Sequence, residues 1–259
     1  MPFPQPAAQW QQYGKRLRPD ALPRPAVMHR GLPAVACGLA MLAALPAKAE
    51  DLDLALGATS DVVIRGVSLS GNAISPQLTA DYYAARGWLL GIAANQVRPL
   101  DDSAESLQLL ARAGYGWSLA SDWSMQITYL HYAYPRDDYL SDYAHDELSG
   151  SLAWRDQLVL SVSASPNARF GRDAREPSFS YDLTARYPLS RKISVVAGVG
   201  YYDLHRVLGS GYLYGNSGVE LLVGSLQLAL SYIATSSEAK TLFGRKASDR
   251  WTASAMWHF

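Results

Sequence analysis

The sequence predicts an all-β protein: an antiparallel transmembrane β-barrel of about twelve strands, preceded by a cleaved signal peptide. Three observations carry this. First, the final stretch puts Trp251, Ala253, Ala255, Trp257 and Phe259 on one face of an extended strand. Thr252, Ser254, Met256 and His258 fall on the other, because strand side chains alternate with period two. A barrel strand that turns one face to lipid, with aromatics at the interface, has this make-up. Second, the N-terminal region carries a secretory pattern. Third, tight turns alternate with long polar loops along the whole chain.

The secretory pattern runs over residues 28–49. Met28-His29-Arg30 is a short basic start, Gly31 to Leu45 is small and apolar, and Ala47-Lys48-Ala49 fits a signal-peptidase site before Glu50-Asp51. The apolar run is about 15 residues, short of the ~20 that span a bilayer as a helix. Residues 1–27 are Pro-rich and basic. They read as a mis-called extension with Met28 as the true start, or as a long n-region. The barrel is expected over residues 50–259, and no run there reaches the length of a spanning helix, so any crossing is by strands. The whole chain balances 23 Lys/Arg against 23 Asp/Glu. Six of those basic residues but one acid lie in residues 1–49, so the exported part is mildly acidic and a poor partner for nucleic acid. The only cysteine, Cys37, leaves with the signal, which excludes disulfide and thiolate chemistry from the exported part.

From residue 51 the period is two. Leu52, Leu54, Leu56 and Ala58 form one face, which Val62 and Ile64 continue. Asp61 and Arg65 continue the other. After a loop at Ser68–Ser75, Leu78, Ala80 and Tyr82 alternate with Gln77, Thr79 and Asp81. Arg86-Gly87 turns into Trp88, Leu90 and Ile92. A polar loop near Arg98–Ser106 precedes Leu107 to Trp117, and Ser121-Asp122 turns into Met125, Ile127 and Tyr129. A Tyr/Asp-rich loop spans Pro135–Ala144. Then Leu148, Leu152 and Trp154 face one way and Glu147, Ser149 and Ser151 the other. Arg155-Asp156, Ser190-Arg191-Lys192 and Gly224-Ser225 are the remaining tight turns. Loops at Ser165–Pro177, a Gly/Tyr segment before Val219, and Thr235–Arg250 complete the pattern. Short turns at one end and long loops at the other are what an outer-membrane barrel requires. A soluble sandwich also alternates, but its polar faces are solvated. Here they are Ser, Thr, Gly and Ala with occasional charges, which suits a narrow lumen.

Gly57-Ala58-Thr59-Ser60-Asp61-Val62-Val63-Ile64-Arg65-Gly66-Val67-Ser68 resembles the opening signature of the TorF family of proteobacterial porins. Ser60-Asp61, Arg65-Gly66 and Val67-Ser68 match in order, with Pro76 and Asp81-Tyr82-Tyr83 where that family's second strand follows. Val62 and Ile64 stand in place of its usual aromatics. The resemblance implies an outer-membrane barrel. It supplies no transported molecule and no catalytic residue.

With the Leu/Val/Trp faces toward lipid, Asp61, Arg65, Asp81, Arg112, Glu147, Asp182, Arg186 and Glu220 are the lumen-lining charge candidates. Asp61 and Arg65, four apart on one strand, are expected to point inward roughly 13 Å apart. Charges of both signs in a narrow barrel either pair and fill it or line a wet pore that selects by charge. Arg98, Arg169, Arg172 and Arg175 form either a basic outer vestibule or a solvated loop surface that meets lipopolysaccharide phosphates. Trp257 and Phe259 stand where outer-membrane proteins carry the signal read by the barrel-assembly machinery.

Catalysis by an outer-membrane lipid hydrolase or acyltransferase needs a Ser–His pair near the outer rim. His131, His145, His205 and His258 are the available histidines. Ser141 and Asp142 lie upstream of His145, at a spacing that matches no hydrolase motif, and there is no nucleophile elbow, phosphate loop or metal-ligand cluster. The expectation is a non-enzymatic, cofactor-free, metal-free barrel in outer-membrane lipid and lipopolysaccharide that passes small polar solutes or ions. The alternative is a closed structural or adhesive barrel acting through its outer loops.

Overall fold

The structure, a computed structural model, describes residues 49–98, 105–135, 143–155, 157–170 and 174–259. Residues 1–48, which hold nearly all of the expected signal peptide and the segment before it, and Arg172 lie outside the described residues.

Twelve antiparallel strands close a barrel. In chain order they begin with β1 (Ala49–Thr59), β4 (Ser75–Ala84), β5 (Trp88–Val97), β6 (Ser106–Ala120), β7 (Trp123–Ala133) and β8 (His145–Trp154). They continue with β9 (Leu158–Ala168), β10 (Glu176–Pro188), β11 (Ile193–Leu204), β12 (Ser210–Val223), β13 (Leu226–Thr235) and β14 (Arg250–His258). Two more strands, β2 (Val63–Ile64) and β3 (Val67–Ser68), pair only with each other. Each barrel strand pairs with its sequence neighbours, and β1 closes the ring on β14, with Leu56 opposite Trp257 and Ala58 opposite Ala255. Closure removes the sheet edges, which a barrel in lipid cannot leave unpaired.

The alternation read from the sequence sets which way side chains face. Leu56, Leu78, Ile92, Leu148, Leu160, Val199 and Val219 are exposed on the outside. Asp81, Gln108, Arg112, Glu147, Ser163, Ser180 and Glu220 are buried inside. Aromatics mark both ends of the exterior. Trp88, Trp123, Tyr187 and Trp257 lie at the end with the short turns; Tyr129, Tyr181, Tyr232 and Trp251 lie toward the other. Neighbouring rings meet, as in Trp88 on Tyr115 at 5.0 Å and Tyr232 on Trp251 at 5.3 Å between centroids. A closed barrel with an apolar exterior between two aromatic girdles belongs in the bacterial outer membrane. No helix of the described residues is long and apolar enough to cross a membrane.

The short connections fall at one end, as expected, and the long ones at the other. Two of the long ones carry helices, α1 (His205–Leu208) and α2 (Ser237–Phe243). Two sequence expectations fail. The Gly/Tyr segment before Val219 is not a loop: β12 starts at Ser210 and takes it into the wall. Glycines there erase the apolar alternation that signals a strand. More consequentially, Asp61 and Arg65 are not on β1, which ends at Thr59. Arg65 and Gly66 have φ of 48° and 80°, the left-handed pair that closes a two-residue hairpin between β2 and β3. Val62 and Ile64 therefore do not face lipid. They are buried in a cluster with Leu69, Val97 and Tyr134. Residues 60–74 fold back into the barrel mouth.

Candidate functional site

The inward hairpin is anchored at its base and at its tip. At the base, Asp61 accepts from the hydroxyls of Ser68 and Ser70, both at 2.7 Å, and from Arg250 Nη1 at 2.7 Å. Arg250 in turn donates to the carbonyls of Arg245 and Lys246 and to Asn72. One buried guanidinium thus ties the hairpin to the β13–β14 loop. At the tip, Arg65 Nη2 reaches Glu147 Oε2 on the wall at 3.0 Å, with both side chains almost fully buried at 3% and 1% exposed. The Arg65 guanidinium also lies 4.1 Å over the Tyr202 ring, a cation–π contact favoured by desolvation. Gly66 follows because a Cβ there would collide with Thr235 Cγ2 and press on Tyr214.

Below the hairpin, charges pair along the wall. Asp81, Gly91 and Arg112 are register partners on β4, β5 and β6. Gly91 has no side chain, so Arg112 reaches over it to Asp81: Nε to Oδ1 is 2.7 Å, and Nη2 meets Oδ2. A Cβ at Gly91 would strike both partners. Asp182, Gly200 and Tyr214 repeat this construction on β10, β11 and β12, with the Tyr214 hydroxyl donating to Asp182. Nearer the end with the short turns, Arg186 Nε sits 3.2 Å from Glu220 Oε2, again two strands away. The alternatives left open by the sequence were pairs that fill the barrel and charges that line a pore. The wall pairs keep to the lining, and the hairpin is what enters the interior.

The outer-loop arginines are engaged locally. Arg98 pairs with Glu105 at 2.6 Å across the base of its loop. Arg175 donates to the carbonyls of Ala144 and Asn167, joining two loops, and Arg169 is half-buried. In the loop between β13 and β14, Lys240 Nζ lies 2.9 Å from Asp249. That hydrogen bond, with one from the Thr235 amide, holds the Asp249 carboxyl below the usual carboxylate range. Trp257 and Phe259 face outward at the end with the short turns, and the Phe259 amide bonds the Leu54 carbonyl at 2.9 Å. The histidines bond acids or backbone: His131 to Asp146, His205 to Asp203, His258 to Asp53, and His145 to the Tyr143 carbonyl. Ser141 and Asp142 lie outside the described residues. Sequence reasoning missed Arg250 and the tyrosines that receive Arg65. Arg250 shares the inward face of Thr252 and Ser254, which was a usable signal; Tyr202 carried none, since Tyr fits either face.

Comparison with solved structures finds the same architecture. The KdgM porin in complex with disordered oligogalacturonate matches at 9% identity and a TM-score of 0.51, covering 81% of this chain and 99% of that one. The NanC porin matches at 12% identity and 0.53, with the same coverages. A COG4313 outer membrane channel from Pseudomonas putida F1 aligns at 14% identity and 0.49, over 80% of this chain and 94% of that one. At such identities the likeness is one of fold. No curated protein matches the chain. A family model described as "Bacterial protein of unknown function (Gcw_chp)" matches residues 43–259, and the chain belongs to that family.

Proposed function

We propose that this barrel is an outer-membrane channel for small polar solutes or ions, with its aperture set by the inward β2–β3 hairpin. The observation that carries this reading is the make-up of the interior. Its charges pair with neighbours along the wall, over Gly91 and beside Gly200, an apolar cluster of Ala93, Leu110, Leu130 and Tyr132 packs on the same inner face, and polar side chains border the space that remains. Thr128, Ser149, Ser161 and Asn216 face that space and are only half-buried. The porin fold shared with KdgM and NanC agrees with this reading. The test is conductance of the purified protein in a planar bilayer. A small, weakly selective conductance is expected from the wild type and a larger one when the hairpin is released.

A second reading, the closed barrel acting through its outer loops, is favoured by the depth at which Arg65 is held on Glu147. Absence of conductance from both the wild type and a hairpin-released variant selects it.

A further inference from the structure

Two segments leave the wall at the end with the long connections and turn inward. One is the hairpin, residues 60–74. The other is the β13–β14 loop, residues 236–249, which carries α2 and the turn Gly244–Ala247. Ala239 and Ala247 of this loop are fully buried in the cluster built on Tyr202 and Tyr212. Each segment is stapled internally. In the hairpin, Ser68 and Ser70 donate to Asp61 Oδ1, Ser70 Oγ accepts from the Val62 amide at 2.9 Å, and the Leu69 amide bonds the Val62 carbonyl at 2.7 Å. In the loop, Lys240 holds Asp249, and Thr235 at its root donates to Asp249 and to the Ala247 carbonyl. Each is built to move as a body.

Apolar packing joins the two bodies only in part. Val67 packs against the cluster that holds the loop. Elsewhere a cavity of about 240 Å³ lies between hairpin residues Ile64 and Leu69 and loop residues Leu242 and Phe243, and dispersion contacts weaken within an ångström of added separation. Arg250 makes the firmer connection. Its Nη1 donates to Asp61 Oδ2 at 2.7 Å and to Asn72 Oδ1 at 2.9 Å, both in the hairpin segment. Its Nη2 donates to the carbonyls of Arg245 and Lys246 at 3.0 and 2.6 Å, and its Nε to that of Ser248 at 2.9 Å, all in the loop. A guanidinium carries its N–H donors in a rigid planar fork, and here each nitrogen is engaged, one by the hairpin and two by the loop. The side chain is only 7% exposed. Moving either body alone would leave a desolvated charge short of hydrogen bonds, a loss that charged groups feel most. Moving both together breaks none of these bonds, because Arg250 stands at the first position of β14, where the loop meets the wall, and its long side chain swings with them. We propose that residues 60–74 and the β13–β14 loop form one lid over the barrel mouth, opening and closing as a unit, with Arg250 as the positioning residue that couples them. The coupling itself does not depend on conduction; its effect on aperture rests on the channel reading.

Coupling is measured by releasing one half and watching the other. Cys37 is the only cysteine of the sequence and precedes the expected cleavage site, so single introduced cysteines report without background. Ile64→Cys in the hairpin and Ala239→Cys in the loop replace residues that are 3% and 0% exposed, and each reacts with a soluble maleimide only when its segment swings out. Arg65→Ala removes the hairpin's hold on Glu147. In the full barrel in lipid nanodiscs it should raise both labelling rates by a similar factor, about tenfold or more. Asp61→Asn then uncouples the halves: Oδ1 still accepts from Ser68 and Ser70, while the amide nitrogen takes the place of the oxygen that faces Arg250. With both substitutions Ile64→Cys should stay fast and Ala239→Cys should return to the wild-type rate. An Arg250 that only braced the loop predicts instead that Arg250→Lys, which keeps the charge and loses the fork, speeds Ala239→Cys and leaves its response to Arg65→Ala intact; under the proposal that response is lost. Heat-modifiable migration on gels verifies that each variant is folded. Ala239→Cys unmoved by Arg65→Ala, whether or not Ile64→Cys responds, overturns the single lid. Equal acceleration of both sites in the Asp61→Asn variant takes Arg250 out of the coupling. If labelling is coupled while no variant conducts, the channel reading falls and the lid stands. If the barrel conducts, single-channel records should show one open level in the wild type and an added intermediate level on uncoupling.

Discussion

The Glu147 carboxylate and the Tyr202 ring, both buried, hold Arg65, so its removal has two separable effects. Arg65→Ala leaves Glu147 buried without its partner, which costs roughly 3–5 kcal/mol in comparable buried pairs. The hairpin should loosen, conductance should rise, and the temperature of gel-shift unfolding should fall. Adding Glu147→Gln removes the orphaned charge and should recover much of the thermal loss while conductance stays high. Recovery of a low conductance in the double variant would show that the pair does not hold the hairpin closed. Arg112 and Asp182 make the second residue-scale test. Arg112→Ala exposes the charge of Asp81 and should move the reversal potential toward cations. Asp182→Ala removes an acid whose partner is the neutral Tyr214 and should move it toward anions. A charge in a low-dielectric wall acts strongly on a passing ion. Unchanged selectivity in both would take these residues out of the ion path.

At the scale of elements, the hairpin and the closing strand respond differently. The β2–β3 turn needs positive φ at both central positions, a conformation costing a non-glycine residue roughly 1–2 kcal/mol. Gly66→Val adds to this a collision with Thr235. The variant should assemble at near wild-type yield, because the hairpin contributes no strand to the ring. Its conductance should rise as for Arg65→Ala, measured in the same bilayer assay. Loss of barrel formation instead would make the hairpin part of the folding core. Strand β14 is the opposite case, since it closes the ring on β1. Deleting Phe259 removes the outward terminal aromatic and the amide that bonds Leu54. Assembly in cells should drop sharply, scored as loss of the heat-modifiable band; full yield would show that the terminal aromatic is not read during insertion.

For the whole molecule, the asymmetry of connections sets the orientation. Single cysteines at Asn72, Gly209 and Glu238, on exposed parts of the long connections, should react with an impermeant maleimide on intact cells. Cysteines at Arg86, Ser190 and Ser225 should react only after the outer membrane is opened. Equal labelling of the two sets would reverse or abolish the assigned topology. The exported chain is expected to begin at Glu50, which N-terminal mass spectrometry of the outer-membrane fraction checks.

The barrel itself was legible because its information is local. Period-two alternation decides which side chains meet lipid, and tight turns decide where the chain reverses; neither depends on distant residues. The inward positions of Asp81, Arg112, Glu147, Asp182, Arg186 and Glu220 follow from the same alternation. What alternation cannot carry is any segment that leaves the wall. Residues 61–65 keep an alternating pattern, so Asp61 and Arg65 read as a continued strand, and Val62 and Ile64 as lipid-facing. The apolar residues served a buried cluster instead, a burial that alternation does not distinguish from lipid contact. Only the closed ring brings Arg250, Glu147 and Tyr202 within reach of the hairpin, over sequence separations that no local pattern spans. The sequence by itself determined the wall, its two faces and its ends, because those are set strand by strand. The tertiary structure decided what stands in the mouth, because that depends on how opposite walls approach one another.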